Sequence, residues 1–124
     1  MRIVIESIPH DQQRYETCGD YTTDADGALH IRVSHTEDDY DFLIAVHELI
    51  EAYLCAKRGI TGEEIDAFDF AFERARKEGN FDEPGNNPAA PYFMEHKFAT
   101  AIERQVSKEL GVKWAVYDKT INAL

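Results

Sequence analysis

The sequence has little cysteine, few basic residues and no long hydrophobic run. Its 124 residues include two cysteines, Cys18 and Cys55, without a C-x-x-C pair, which argues against a disulfide framework and against a zinc ribbon. Two isolated cysteines are typical of a reducing compartment, so we expect a cytoplasmic protein. The longest apolar run is far shorter than the roughly 20 residues that span a bilayer, and the first residues lack the apolar stretch of a signal peptide. We therefore expect no membrane partner.

Basic residues are the scarcer charged class. The chain carries 13 Lys and Arg against 24 Asp and Glu, which gives a formal net charge of −11. Sequence-independent affinity for DNA or RNA comes from Lys and Arg that displace counterions, so we expect no direct binding to a nucleic-acid backbone. The composition, with 44% hydrophobic and 30% charged residues, is ordinary for a soluble globular protein, and the length fits a single domain over 1–124.

The polarity pattern predicts an α+β domain in which the strands precede the helices. Alternating β-branched residues predict a strand over 1–8 and a hairpin over 21–34 that turns at Asp24–Gly27, and together these form a small antiparallel sheet. Three helices are predicted over about 36–58, 62–78 and 91–110, the first of them central and largely buried. We expect Thr36 to be the first N-cap, a capping box to open the second helix at Thr61, and residues 114–117 to pack in a short terminal element.

The segment 79–91 lies between the second and third helices and contains three of the four prolines. It is therefore predicted to be irregular. A loop of this length in a small domain is more often functional than idle.

The first helix is apolar or small on almost every side. At 100° per residue its main apolar sector comprises Phe42, Leu43, Val46, Leu49, Ile50, Tyr53 and Leu54. The opposite side carries Ile44, Cys55 and several alanines. A helix of this kind is usually buried on more than one side.

His47 and Glu51 lie one turn apart in the middle of this helix, so their side chains project from one face. A carboxylate next to apolar surface is costly unless it is paired or bound to a cation. H-E-x-x-H helices solve this problem with two metal ligands one turn apart and an intervening Glu as general base, the position that Glu48 holds here. The alternative is a solvated His/Glu face with a salt bridge to Arg58.

A catalytic zinc needs three protein ligands and one open position. His96 and Glu103 flank the apolar stripe of the third helix, which comprises Phe98, Ile102, Val106 and Leu110. Both are candidate ligands. The alternatives are a His96 bonded to loop backbone and a Glu103 in an exposed ion pair.

The second helix offers Asp69 beside its own apolar stripe. It is a candidate fourth ligand, or a carboxylate that orients a metal-bound histidine. The alternative is an exposed charge at the edge of the helix. His10, His30 and His35 have no assigned role, and Cys55 is either a soft ligand or a packing residue.

The segment His47-Glu48-Leu49-Ile50-Glu51 resembles the motif helix of zincin-type metallopeptidases, with Glu51 in place of the second histidine. The resemblance implies that His47, Glu51 and His96 bind Zn²⁺ or another divalent cation and that Glu48 acts as the base. It also implies that the 79–91 loop borders an unidentified substrate, such as a peptide.

The wider pattern from residue 40 onwards resembles small bacteriophage and prophage proteins. It is carried by His-Glu-Leu-Ile-Glu-Ala, by Glu-Pro-Gly-Asn-Asn-Pro at 83–88 and by the segments 95–99 and 109–114. The resemblance brings no activity with it, and it implies the cytoplasm of a bacterial host.

Three functions stay open on the sequence. The first is a metal-binding domain that acts as a small metal-dependent hydrolase. The second is a helical, Mg²⁺-dependent nucleotide pyrophosphatase-like enzyme that uses Glu48, Glu51, Asp69 and Glu73. The third is an acidic, non-enzymatic module that binds a basic partner.

Overall fold

A computed structural model describes residues 1–124, and it confirms the α+β class. The strands are β1 (Ile3–Ile8), β2 (Gly19–Thr23) and β3 (Leu29–Ser34). The helices are α1 (Asp38–Lys57), α2 (Gly62–Ala75), α3 (Phe93–Glu109) and α4 (Trp114–Asn122). Single 3₁₀ turns occur at His10–Gln12 and Pro84–Asn86, the second within the proline-rich loop. No helix combines the length and the apolarity that a membrane crossing requires.

The three strands form one sheet in the order β1-β3-β2. The predicted hairpin is confirmed, since β2 and β3 pair antiparallel with Tyr21 opposite Ile31. The prediction of an antiparallel sheet is wrong for the first strand, because β1 pairs parallel with β3, Ile5 opposite Ile31. The reason lies in burial. β3 carries the most buried strand residues, Ile31 and Val33 at 0% and 1% exposure, and it takes the centre of the sheet between the other two.

The turn between β2 and β3 follows the sequence prediction. The side chain of Asp24 accepts a hydrogen bond from the backbone N–H of Ala28 at 2.9 Å. Gly27 has φ = 85°, a conformation that strongly favours glycine.

The buried surface of α1 coincides only in part with the face that the helical wheel favours, in which Leu43 is fully buried. Phe42 and Tyr53 belong to the predicted apolar sector, yet they are 53% and 50% exposed. Ile44 and Cys55, on the other side, are 3% and 2% exposed. α1 packs against the sheet and against α3, and the alanines on the buried side allow this close approach on two sides.

The helix ends depart from the predictions in two places. α1 begins at Asp38 with Glu37 as its N-cap, so Thr36 is not the cap; its backbone N–H instead donates to Asp41 at 2.9 Å. The capping box at Thr61 is confirmed, because its hydroxyl accepts from the N–H of Glu64 at 3.2 Å. α2 nevertheless ends at Ala75 and not near residue 78, since Arg76 turns into extended backbone.

The predicted count of three helices is wrong, because the terminal element is a fourth helix. α4 has nine residues, and Lys113 at its N-cap makes no side-chain capping bond. Packing therefore has to stabilise it. Tyr117 is 3% exposed, and its ring lies 5.0 Å from that of Tyr40 and 5.3 Å from that of Trp114.

Candidate metal centre

Three buried side chains from two helices meet between α1 and α3. The Nε2 atom of His47 lies 3.0 Å from Oε2 of Glu51 and 3.1 Å from Nδ1 of His96. The same Oε2 atom lies 2.8 Å from Nδ1 of His96, which closes a triangle of three potential ligand atoms. The residues are 6%, 4% and 6% exposed, respectively. Together they could hold a metal ion.

The solvated alternatives for these residues are wrong. His47 and Glu51 face the protein interior, and Arg58 pairs with Glu95 at 2.7 Å. The Nδ1 atom of His96 faces the carboxylate of Glu51, and not the loop backbone that the alternative interpretation gave as its partner. The i,i+4 spacing brought two of the groups together, and the packing of α3 on α1 brought the third.

Glu103 contacts His47 from the side opposite this triangle. Its Oε1 atom lies 2.8 Å from Nδ1 of His47, and its Oε2 atom accepts a hydrogen bond from the hydroxyl of Tyr117 at 2.6 Å. Glu103 is only 7% exposed, so the alternative interpretation of this residue as part of an exposed ion pair is wrong. A carboxylate on the second nitrogen of a histidine fixes the orientation of the ring and its tautomer, so Glu103 is placed to aim Nε2 of His47 at the centre. No pattern in the sequence indicated this role of Tyr117, which was expected only to pack.

Glu51 and His96 have outer partners of their own. The hydroxyl of Tyr21 donates to Oε1 of Glu51 at 2.9 Å, which leaves Oε2 for the centre. The Nε2 atom of His96 lies 2.8 Å from Oε2 of Glu83 at an angle that makes no hydrogen bond. Tyr21 is on a predicted strand and Glu83 is in the proline-rich loop, so no periodicity in the sequence pointed to either residue.

Asp69 is buried but does not join the triangle. It accepts hydrogen bonds from the hydroxyls of Tyr15, at 3.0 Å, and Tyr92. At 5% exposure it is not an exposed edge charge. Glu73, the last member of the magnesium set, forms a two-point ion pair with Arg76. The four carboxylates of that set are therefore not gathered at one point, and the grouping that forms is the one with two histidines.

Glu48 lines a cavity of about 1280 Å³ that the three residues of the triangle also line. Burial raises the pKa of Glu48 well above its usual range, and the nearby Glu51 carboxylate raises it further. The backbone of Gly19 crosses close to this side chain, since an added Cβ there would lie 2.7 Å from Oε1 of Glu48. A carboxyl with a raised pKa in a cavity is suited to proton transfer.

Charge pairing determines the protonation of the triangle. Burial acts to lower the pKa values of both imidazoles, but the neighbouring carboxylates outweigh it: Glu103 and Glu51 raise that of His47, and Glu51 and Glu83 raise that of His96 to about 9. Burial acts to raise the pKa of Glu51, and its bonds to the two histidines lower it to about 2. In the metal-free protein the imidazoles therefore carry protons that a metal ion has to displace.

The remaining histidines and Cys55 lie elsewhere. His10 contacts Ser34 and Glu16, His30 contacts Asp24, and His35 contacts Asp41. Cys55 is 2% exposed, with its sulfur 3.8 Å from the hydroxyl of Tyr21. None of them contributes to the triangle.

Comparison with family models, curated proteins and solved structures finds no match to this chain. The resemblances to zincin-type metallopeptidases and to phage proteins stay predictions.

Proposed function

We propose that this protein binds a divalent metal ion through His47, Glu51 and His96, and that the ion is Zn²⁺ because these ligand types favour it. The observation that carries the proposal is the triangle of ligand atoms, with edges of 2.8, 3.0 and 3.1 Å. Tetrahedral zinc with bonds of about 2.0–2.1 Å separates its ligand atoms by about 3.3 Å. The three atoms would have to move apart by only a few tenths of an ångström to take the ion. A donor set with two imidazole nitrogens suits zinc better than it suits Mg²⁺ or Ca²⁺, which prefer oxygen ligands throughout.

The surroundings of the triangle support this proposal. Glu103 contacts the far nitrogen of His47, and Tyr21 donates to the far oxygen of Glu51. Metal-binding histidines and carboxylates usually have such outer partners. Without a cation, two imidazole nitrogens and one carboxylate oxygen lie within 3.1 Å of one another in a buried space, an arrangement that requires protons on both rings.

We propose further that the site is catalytic and that the protein is a small metal-dependent hydrolase. Three protein ligands leave one position open, which is the pattern of catalytic zinc rather than structural zinc. A metal ion at such a site lowers the pKa of bound water to about 7. Glu48 lines the cavity beside the ligands, and its role would be to accept the proton from that water. The large cavity has room for a peptide substrate.

Elemental analysis of protein purified without a polyhistidine tag tests the metal site. We expect about one equivalent of metal per chain in the natural protein and loss of that metal in Glu51→Ala and His96→Ala. His30→Ala and Glu109→Ala remove the same residue types far from the triangle and serve as matched controls, which should retain the metal. If the natural protein contained no metal after incubation with Zn²⁺, the proposed site would be refuted. Salt-sensitive binding to a basic partner would then favour the acidic, non-enzymatic module.

A variant of Glu48 separates catalysis from metal binding. We expect Glu48→Gln to bind the metal normally and to lose about 10²–10⁴-fold in hydrolytic rate, the usual contribution of a general base. The assay follows cleavage of quenched fluorescent peptides by the zinc-loaded protein. Equal rates for Glu48→Gln and the natural protein would remove Glu48 from the mechanism.

A further inference from the structure

The cavity beside the metal centre has strongly acidic walls. Thirteen Asp and Glu residues line it, against four Lys and Arg residues. A divalent ion at the triangle would offset only two of the excess negative charges. Clefts lined by charges of one sign focus the electric field and concentrate ligands of the opposite sign.

The arginines of the cavity are mostly committed to carboxylates of the protein. Arg14 binds Asp20 at 2.6 Å and Asp66 at 3.1 Å. Arg76 binds Glu73 through two nitrogen atoms at 2.8 and 2.9 Å. Arginines that are already paired in this way are poor receptors for a phosphate or a carboxylate from a ligand.

Several carboxylates of the cavity have no basic partner. Glu63, Glu78, Asp82 and Asp118 are exposed, line the cavity and form no ion pair. The one buried cation-forming group that reaches a loop carboxylate is His96, whose Nε2 atom lies 2.8 Å from Oε2 of Glu83. The four exposed carboxylates have no such neighbour and are free to meet a ligand.

We propose that the substrate of this site is positively charged, and specifically a peptide segment that carries Lys or Arg side chains near the reacting bond. This inference rests on the proposed function, because the metal centre supplies the reacting end of the cavity. The volume of about 1280 Å³ exceeds the range of about 300–1,000 Å³ that is usual for small-molecule sites, which favours a peptide over a small polyamine. The same charge disfavours nucleoside triphosphates.

The test compares two fluorescent peptides of equal length that differ only in having lysines or glutamates around a central dipeptide. Their binding to the zinc-loaded natural protein is measured by fluorescence anisotropy, so that the result does not require turnover. We expect the lysine peptide to bind at least about tenfold more tightly at low salt and the preference to shrink as ionic strength rises. Equal binding, or tighter binding of the glutamate peptide, overturns the inference.

Two double variants separate the cavity from the overall charge of the protein. Glu78→Gln with Asp82→Asn removes two unpaired carboxylates from the cavity wall, whereas Asp39→Asn with Glu109→Gln removes two exposed carboxylates elsewhere. Both change the net charge equally. We expect the first pair to weaken binding of the lysine peptide by about threefold or more and the second pair to have little effect. Equal effects would assign the preference to the net charge and overturn the cavity as its origin.

The outcomes of this test are distinct from a failure of the proposed function. A protein that binds the lysine peptide selectively but contains no metal keeps the charge preference and refutes the metal centre. A protein that binds metal and cleaves both peptides equally keeps the hydrolase and refutes the charge preference.

Discussion

Replacing Gly85 by alanine should damage the metal centre through a single added methyl group. Gly85 lies in the 3₁₀ turn Pro84–Asn86 of the proline-rich loop and packs against the ring of His96. A Cβ atom at this position would lie 2.4 Å from Cγ and 2.6 Å from Nδ1 of His96. Its backbone is not in the left-handed region, so alanine introduces no dihedral strain and the effect is steric alone.

The size of the effect follows from these distances. Non-bonded carbon atoms rest about 3.5–4.0 Å apart, so the imidazole has to move by about 1 Å to accept the methyl group. Metal–ligand distances tolerate about 0.2 Å. The Nδ1 atom would then leave the triangle, and we expect zinc affinity to fall by at least about 100-fold, or about 2.7 kcal/mol.

Competition with a chromophoric chelator measures the dissociation constant of Gly85→Ala, of the natural protein and of a control. Gly62→Ala is a matched control, because nothing lies within 4 Å of its added Cβ and the residue is at the start of α2. Its zinc affinity should be unchanged. A Gly85→Ala variant that unfolds cooperatively and binds zinc as tightly as Gly62→Ala would refute His96 as a ligand in this geometry.

Three further predictions concern the base, the coupling of metal to stability, and the start of α1. In Gly19→Ala the added Cβ would lie 2.7 Å from Oε1 of Glu48 and displace this carboxylate. We therefore expect elemental analysis to find full metal content while peptide hydrolysis slows. An unchanged rate of hydrolysis would contradict the role of Glu48. Zinc at about 100 times its dissociation constant should stabilise the protein by about 2.7 kcal/mol, so chelation should lower the melting temperature in calorimetry by about 10 °C, and no shift would argue against a preformed site. The hydrogen bond between His35 and Asp41 raises the pKa of His35. Burial acts to raise the pKa of Asp41, but this bond and the other hydrogen bonds to the carboxylate outweigh burial and lower it. The protonated His35 therefore stabilises the folded state at pH values below its usual pKa of 6.5, and the ionised Asp41 does so above its usual pKa of 3.8. The loss of resistance to urea in His35→Ala should accordingly be largest between these two pH values and smaller at alkaline pH.

The local features of the fold could be predicted from the sequence because they depend on neighbouring residues. The hairpin follows from alternation around the Asp24–Gly27 turn, and the start of α2 follows from the capping box at Thr61. Turn and cap chemistry acts over four residues, so no tertiary contact is needed to specify it.

The longer-range features were predicted less well. The parallel pairing of β1 with β3 depends on which strand occupies the centre of the sheet, and alternation within β1 contains no information on that choice. α4 lacks a cap and has nine residues, so its helical state depends on the packing of Tyr117 and not on local preference. The wheel of α1 misassigned Phe42 and Tyr53 because it ranks faces by apolarity and does not include the neighbours on both sides.

The candidate site also combines local features, which could be predicted, with long-range contacts, which could not. The positions of His47 and Glu51 in the chain were enough to place them on one face of a helix, because a spacing of four residues is about one helical turn. The packing of the helices and the sheet, in contrast, is what lets His96 complete the triangle and Glu103 contact His47 from outside it. The same packing directs Asp69 to two tyrosines instead. The contacts of His96 with Glu51, of Glu103 with His47 and of Asp69 with the two tyrosines cross 23 to 56 positions of the chain. Distances of that kind are set by how the helices pack on one another, which no local pattern encodes.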